Sequence, residues 1–239
     1  MCGRFSLKTK AESLAEWFQV PVLPFIEPRY NIHPASQVLV VRQLPDLPAR
    51  ELVPLRWGLI PSWAKDAAAG DRLANARAES AASKASFRDS FRKRRCLVPA
   101  DGFYEWKRVE RGKEPYYISL REGQPFAFAG LWDRWHIAGG QPIESCTILT
   151  TRPNDLLRPI HDRMPVIVDR ANYAAWLDPQ FHEPRTLEPI LAPYPSEQMT
   201  AYQVTRRVNN PRYDGPECLT PAPEQAKQPT PPDSQGLLF

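Results

Sequence analysis

No stretch of the 239-residue chain approaches the run of about 18 apolar residues that a membrane-spanning helix requires. The segment after Met1 is polar and charged, without the apolar centre of a secretory signal. Cysteine is scarce: Cys2, Cys96, Cys146 and Cys218 lie far apart and form no C-x-x-C pair. Outside a secretory context such cysteines read as thiols rather than as a disulfide framework. Histidine is as scarce, and His33, His136, His161 and His182 show no ligand spacing, so neither a metal site nor a cofactor is expected. A strong charge of one sign is lacking too. Lys and Arg number 31 against 27 Asp and Glu, a net charge of +4, which permits an anionic partner without demanding one. These absences describe a cytoplasmic globular protein with no membrane segment.

Proline and tryptophan, by contrast, are plentiful, at 27 and 7 residues. So many prolines work against long helices and favour strands joined by defined turns. Ala11, Leu14, Ala15 and Phe18 recur at helical spacing and predict one short amphipathic helix over 8–19. Residues 38–41 and 51–57 read as a strand pair around a proline-containing turn, and residues 80–92 as a helix. Buried strands are expected at 96–99, 116–120, 126–129, 146–150 and 164–168, with turns at Gly123 and Gly139-Gly140. Asp169 is placed to cap a helix through Tyr173 and Trp176. Residues 1–213 therefore read as a single α+β domain, strand-rich, with a barrel-like core of mixed and antiparallel sheet and a few short helices. Seven prolines fall among residues 210–239, and 214–239 reads as a disordered tail.

The residue with the most distinctive chemistry is Cys2. Initiator methionine is commonly trimmed before a small second residue, which would leave Cys2 with a free α-amine beside its thiol. Such an aminothiol condenses with an aldehyde to an imine, and the thiol then closes a thiazolidine ring. The amine titrates at about 7.7–8.0, so a useful fraction is neutral near physiological pH. Glu105, between Tyr104 and Trp106, is a carboxylate whose apolar neighbours would raise its pKa and suit it to proton transfer. His161 lies in a loop entering a strand, with Asp162 and Arg163 beside it. Asn75 and Arg77 are two apart, so in an extended stretch they share a face.

These residues belong to a set of motifs that occur in order: Cys2-Gly3-Arg4-Phe5, Arg29-Tyr30-Asn31 with Pro34, Trp57-Gly58-Leu59-Ile60-Pro61, Asn75-Ala76-Arg77-Ala78-Glu79, the run from Cys96 to Trp106, and Ile160-His161-Asp162-Arg163-Met164-Pro165. In this the chain, from Cys2 to about residue 213, resembles the SRAP (SOS-response-associated peptidase) family, whose members crosslink abasic sites in DNA.

The resemblance implies that Cys2, freed of Met1, attacks the open-chain aldehyde of an abasic site in single-stranded DNA and closes a thiazolidine. Glu105 would move protons during ring opening and imine formation. His161 would protonate or stabilise the sugar oxygen and assist slow reversal, and Asn75 would orient Cys2 and the sugar. Arg4 and Arg77 would hold flanking phosphates, with Thr150 as a further contact, while Pro34 and Trp63 would form an apolar wedge. Some members carry two adjacent tryptophans there, whereas Trp63 is followed by Ala64. A persistent imine would permit β-elimination, a weak lyase activity, and a nucleoid-associated monomer would suffice. The physics agrees, since an abasic nucleotide has no base to unstack and single-strand binding needs cations and flat side chains.

Two alternatives stand beside this reading: an N-terminal-nucleophile cysteine peptidase that is autoproteolytic, and a non-covalent single-strand-binding module. The run Arg92 to Arg95 reads as added attraction for DNA or as a solvated helix end. At the C-terminus, Gln235, Leu238 and Phe239 resemble the peptide that bacterial replication and repair proteins insert into the sliding clamp, with Gly236 in place of an aliphatic residue. A proline-rich leash would hold the domain near DNA at raised local concentration.

Overall fold

Short strands dominate, as the proline content predicts. The computed structural model describes residues 2–21, 25–137, 139–180 and 184–223. Its strands are β1 (Phe5–Leu7), β2 (Arg29–Ile32), β3 (Gln37–Arg42), β4 (Glu51–Trp57), β5 (Asn75–Arg77), β6 (Arg95–Ala100), β7 (Gly102–Val109), β8 (Gly112–Leu120), β9 (Phe126–Trp135), β10 (Ile143–Thr151), β11 (Met164–Pro165), β12 (Ile167–Val168) and β13 (Met199–Gln203). Strands β4, β3, β6, β9 and β10 pair in that order, all antiparallel. Strand β10 then returns to β4 in parallel. That pairing closes a five-stranded mixed barrel, the expected core.

A second sheet, ordered β13-β8-β7-β1-β2, packs on the barrel. Phe5 of β1 meets Trp57 of β4 and Phe128 of β9 edge-on, at centroid distances of 5.3 and 5.6 Å. Phe103 of β7 meets Phe128 at 5.9 Å. Each buried aromatic stabilises the interface by about 1.5–3 kcal/mol through area, with about 0.5–1.5 kcal/mol more per well-oriented ring pair. Strand β6 is buried along its whole length, which is why Cys96-Leu97-Val98-Pro99 is continuously apolar instead of alternating.

Helix α1 (Ala11–Phe18) buries Ala11, Leu14, Ala15 and Phe18, the four residues at helical spacing. Phe18 stacks on Tyr173 at 5.4 Å. The helix ends at Gln19, whose φ of 55° is left-handed. The single helix expected over 80–92 is instead two, α2 (Ala78–Ala81) and α3 (Arg88–Lys93). Between them Ser83 donates both its N–H and its hydroxyl to the Ser80 carbonyl, a side-chain competition that favours turns over continued helix. Likewise 164–168 is not one strand: β11 pairs with β10 and β12 with β9, and the break falls at Val166. Asp169 accepts from the Ala171 N–H and leads through one 3-10 turn into α4 (Tyr173–Leu177).

Packed structure runs past residue 213, where the composition places the domain boundary. The Asp214 carboxylate accepts from the N–H groups of Tyr30 and Asn31 and pairs with Arg29, and Cys218 is buried. Asn31, fully buried, donates to the carbonyls of Val208, Asn210 and Tyr213. The Arg29-Tyr30-Asn31 motif thus ties the last described segment to the first strands. Gln235, Leu238 and Phe239 lie outside the described residues.

Candidate active site

Strand β5 runs parallel to β10, with Asn75 opposite Ile148 and Arg77 opposite Thr150. The indole of Trp57 fixes the approach to this strand by donating to the Ala74 carbonyl at 2.8 Å. Gly58 makes the turn after Trp57: its φ is 130°, and a Cβ there would lie 2.6 Å from the Gly70 carbonyl oxygen, so glycine alone fits. Ala76 is buried between Asn75, half-buried, and exposed Arg77. This alternation turns the two polar side chains away from the core.

Asn75 faces the start of the chain, where its Nδ2 donates to the Cys2 carbonyl at 2.9 Å. Its own Oδ1 is buried without a hydrogen-bond partner among the described residues. Cys2 is fully buried, with Sγ 3.9 Å from the Arg4 carbonyl. Burial pushes its thiol pKa far up, and the Glu105 carboxylate pushes it the same way.

Glu105 lies on β7, only 2 % exposed. Burial first, then the charge of Asp162, raises its carboxyl to about 7. His161 Nε2 lies 3.7 Å from Glu105 Oε2. Its Nδ1 accepts the Arg163 backbone N–H at 3.0 Å and is 2.9 Å from Asp162 Oδ1. Only one of these can hold at a time. Accepting from Arg163 leaves the neutral ring with its proton on Nε2, aimed at Glu105, whereas the doubly protonated ring donates to Asp162. Burial lowers the His161 pKa, which favours the neutral form. A carboxylic acid raised to about neutrality and an imidazole lowered from its usual range make a pair that can pass one proton.

Arg163 anchors this loop. Its guanidinium forks onto both Glu79 oxygens at 2.7 and 2.8 Å and donates to the Thr150 carbonyl at 2.6 Å. Sequence reasoning left it as a mere neighbour of His161; its fork becomes visible only once β10 lies beside the loop. The same packing corrects the role expected of Thr150. That residue is fully buried, its hydroxyl pointing at the Ala76 carbonyl, so it belongs to the wall behind the site and offers no surface to DNA.

Arg4 has a structural duty, donating to Asn31 Oδ1 at 2.8 Å and to the Val208 carbonyl at 2.9 Å. Trp63 is 61 % exposed and Pro34 half-buried. Both loops hang from the end of β4: Ala35 donates to the Trp57 carbonyl, and the Trp63 loop is pinned by Ser62 to Asp133 and by Trp135 to Ala64. The basic run is not a solvated patch throughout. Arg95 is buried, donating to the carbonyls of Phe91, Arg92 and Trp176, and Arg94 pairs with Asp133 at 3.2 Å.

Glu105 and His161 open onto a cleft of about 750 Å³ whose walls include Trp106, Arg108, Lys113 and Arg158. Of these only Trp106 lies in a motif of the sequence; the cations carry no local signal. Among the described residues no cluster of metal-ligating side chains occurs, and no helix is long and apolar enough to cross a membrane.

The SOS response associated peptidase (SRAP) family model matches residues 1–211. The abasic site processing protein YoqW of Bacillus subtilis (strain 168) is 44 % identical over 223 residues, covering 92 % of this chain and 99 % of that one. The abasic site processing protein HMCES of Xenopus tropicalis is 35 % identical, covering 81 % of this chain and 66 % of its own length. A crystal structure from Bacteroides thetaiotaomicron superposes with a TM-score of 0.83 at 27 % identity, over 92 % of this chain and 100 % of that one. A phage-related protein of Bordetella bronchiseptica superposes at 0.69 with 31 % identity, over 86 % and 95 %. With the family model spanning nearly the whole described fold, this chain belongs to the SOS response associated peptidase family.

Proposed function

We propose that this protein processes abasic sites in single-stranded DNA by capturing them on Cys2 once Met1 has been removed. The observation that carries the reading is the convergence on Cys2: Asn75 holds its carbonyl at 2.9 Å, and Glu105, close enough to raise the thiol pKa, sits 3.7 Å from His161. A proton passes from Glu105 through His161 to the sugar ring oxygen while the anomeric hydroxyl gives its proton back to Glu105, so the C1′–O4′ bond breaks and the ring opens to the aldehyde. The Cys2 amine adds to the aldehyde carbon to give a carbinolamine; Glu105 protonates its departing hydroxyl and takes up the proton the nitrogen sheds, so water leaves and an imine forms. The thiol sulfur then adds to the imine carbon while its proton passes to the nitrogen. The sum is aminothiol plus aldehyde giving thiazolidine plus water.

A carboxyl with a pKa of about 7 is half protonated near neutrality, as a donor of this kind requires. Capture and peptidase chemistry differ in the electrophile: capture retains its substrate, whereas amide cleavage releases an amine. If the imine outlives ring closure, β-elimination cuts the strand, a lyase side reaction. Arg77 and Arg4 supply phosphate contacts, and Trp63 with Pro34 supplies the apolar edge. A nucleoid-associated monomer suffices for these roles, and Gln235, Leu238 and Phe239 would deliver it to the sliding clamp.

The test is a denaturing gel of the Met1-processed protein incubated with single-stranded DNA carrying one abasic site. A heat-stable slow band that needs both the lesion and Cys2, and vanishes in Cys2→Ala, is expected. No band with processing confirmed by mass spectrometry would overturn the covalent mechanism.

A further inference from the structure

Strands β7 and β8 place Arg108 directly opposite Lys113, and both are exposed. Like charges directly opposed across an antiparallel pair destabilise it by a few tenths to about 1 kcal/mol. A local conflict of this kind is retained where an outside group relieves it. Both residues line the active-site cleft. Lys113 also lines a second cleft of about 510 Å³, together with Arg4, Trp106, Arg111, Arg206 and Asn209.

Trp106 is the shared wall. Its Nε1 donates to Asn209 Oδ1 at 2.7 Å, and the Arg4 guanidinium lies 6.0 Å from its ring centroid. Asn209 closes the 3-10 turn Arg206–Asn209, so the bond that holds the indole also ties it to the turn that carries exposed Arg206. Carboxylates are present: Glu114 faces Lys107 across the hairpin, and Asp162 lines the first cleft beside His161. None lines the second cleft.

We propose that the second cleft is a phosphate track for the captured strand, which leaves the active site past Trp106 and runs between Lys113, Arg111 and Arg206. This rests on the reading that Cys2 captures abasic single-stranded DNA and adds the path of the strand on one side of the lesion. Phosphates seated there offset the charge of Lys113, the member of the opposed Arg108–Lys113 pair that lines both clefts. Trp106 presents its face to the nucleotide next to the lesion.

The experiment measures non-covalent affinity against salt, using full-length protein with Cys2→Ala and single-stranded oligonucleotides bearing a reduced, unreactive abasic site. Arg111→Gln and Arg206→Gln are compared with Arg88→Gln on α3, an exposed cation outside both clefts. Each track variant is expected to lower the slope of log affinity against log salt by about 0.7, one phosphate contact on a single strand. Arg206→Lys should restore it, since a point charge suffices for phosphate, whereas a merely structural role would not be rescued in this way. Moving the lesion along the oligonucleotide should weaken binding when one flank is shortened and not the other. Unchanged slopes in both glutamine variants, or a loss equal to that of Arg88→Gln, would overturn the track. A wild-type protein that still crosslinks in that case would leave the capture mechanism standing; one that neither binds nor crosslinks would sink both.

Discussion

Asn75 donates to the carbonyl oxygen of Cys2 at 2.9 Å across 73 residues of sequence. The bond fixes the residue proposed to act through both its amine and its thiol, and it is made by a side chain whose own oxygen is buried without a hydrogen-bond partner among the described residues. That oxygen is an acceptor for the amine that the proposed removal of Met1 would create.

Replacing Asn75 by Ala removes both functions. A neutral hydrogen bond contributes about 0.5–1.5 kcal/mol, so single-turnover crosslinking should slow by about tenfold while affinity for unreactive abasic DNA changes little. Equal losses in rate and affinity would show that Asn75 binds DNA instead of orienting Cys2.

Glu105, the proposed proton donor, also bears on stability. Its folded pKa, about 7, lies above the ordinary carboxylate value because burial opposes its charge. The folded state therefore holds a proton that the unfolded state has released between about pH 4.5 and 7, and stability falls as pH rises through that window. Below it the carboxyl is neutral in both states and costs nothing. Glu105→Gln should then melt several degrees higher than wild type at pH 8 and near wild type at pH 4.5, with a ceiling of about 3 kcal/mol on the gain. The same variant should lose most crosslinking, and the falling alkaline limb of the pH–rate profile with it. Scanning calorimetry at the two pH values decides the stability half.

Asn31 illustrates a motif residue whose work is architectural. It is fully buried and satisfies three carbonyls while accepting from Arg4. Asn31→Ala leaves these groups unsatisfied, and urea denaturation should report a loss of about 2–4 kcal/mol. Limited proteolysis should cut first within 208–214, the segment it ties down.

Trp63 offers the opposite case. Its ring is 61 % exposed, so Trp63→Ala should leave the melting temperature within about a degree of wild type. Binding to abasic single strands should weaken by about 1–3 kcal/mol, the worth of one stacking platform. Fluorescence anisotropy measures it; unchanged affinity would remove Trp63 from the wedge.

Local pattern made much of the scaffold legible. The spacing of Ala11, Leu14, Ala15 and Phe18 decides which face of α1 is buried, and the continuous apolar run at Cys96 marks a strand enclosed on both sides. The 80–92 segment misled because its periodicity is helical while Ser83 turns back on Ser80. Motif order also named Cys2, Asn75, Glu105 and His161 as a group, though Asn75 and Glu105 lie on separate strands and Cys2 and His161 outside any strand or helix.

What the sequence by itself determined, then, is the set of chemical groups and the local elements that carry them, because periodicity, turn residues and motif order are properties of neighbouring positions. Tertiary structure alone decided what those groups became. Parallel pairing of β5 with β10 puts Thr150 in a wall and Arg77 outside, and closure of the sheets over Glu105 removes the water that would keep its pKa ordinary. The β7–β8 register sets Arg108 against Lys113 beside the cleft. Burial, pKa and charge opposition depend on which distant segments meet, and that is settled only when the barrel closes.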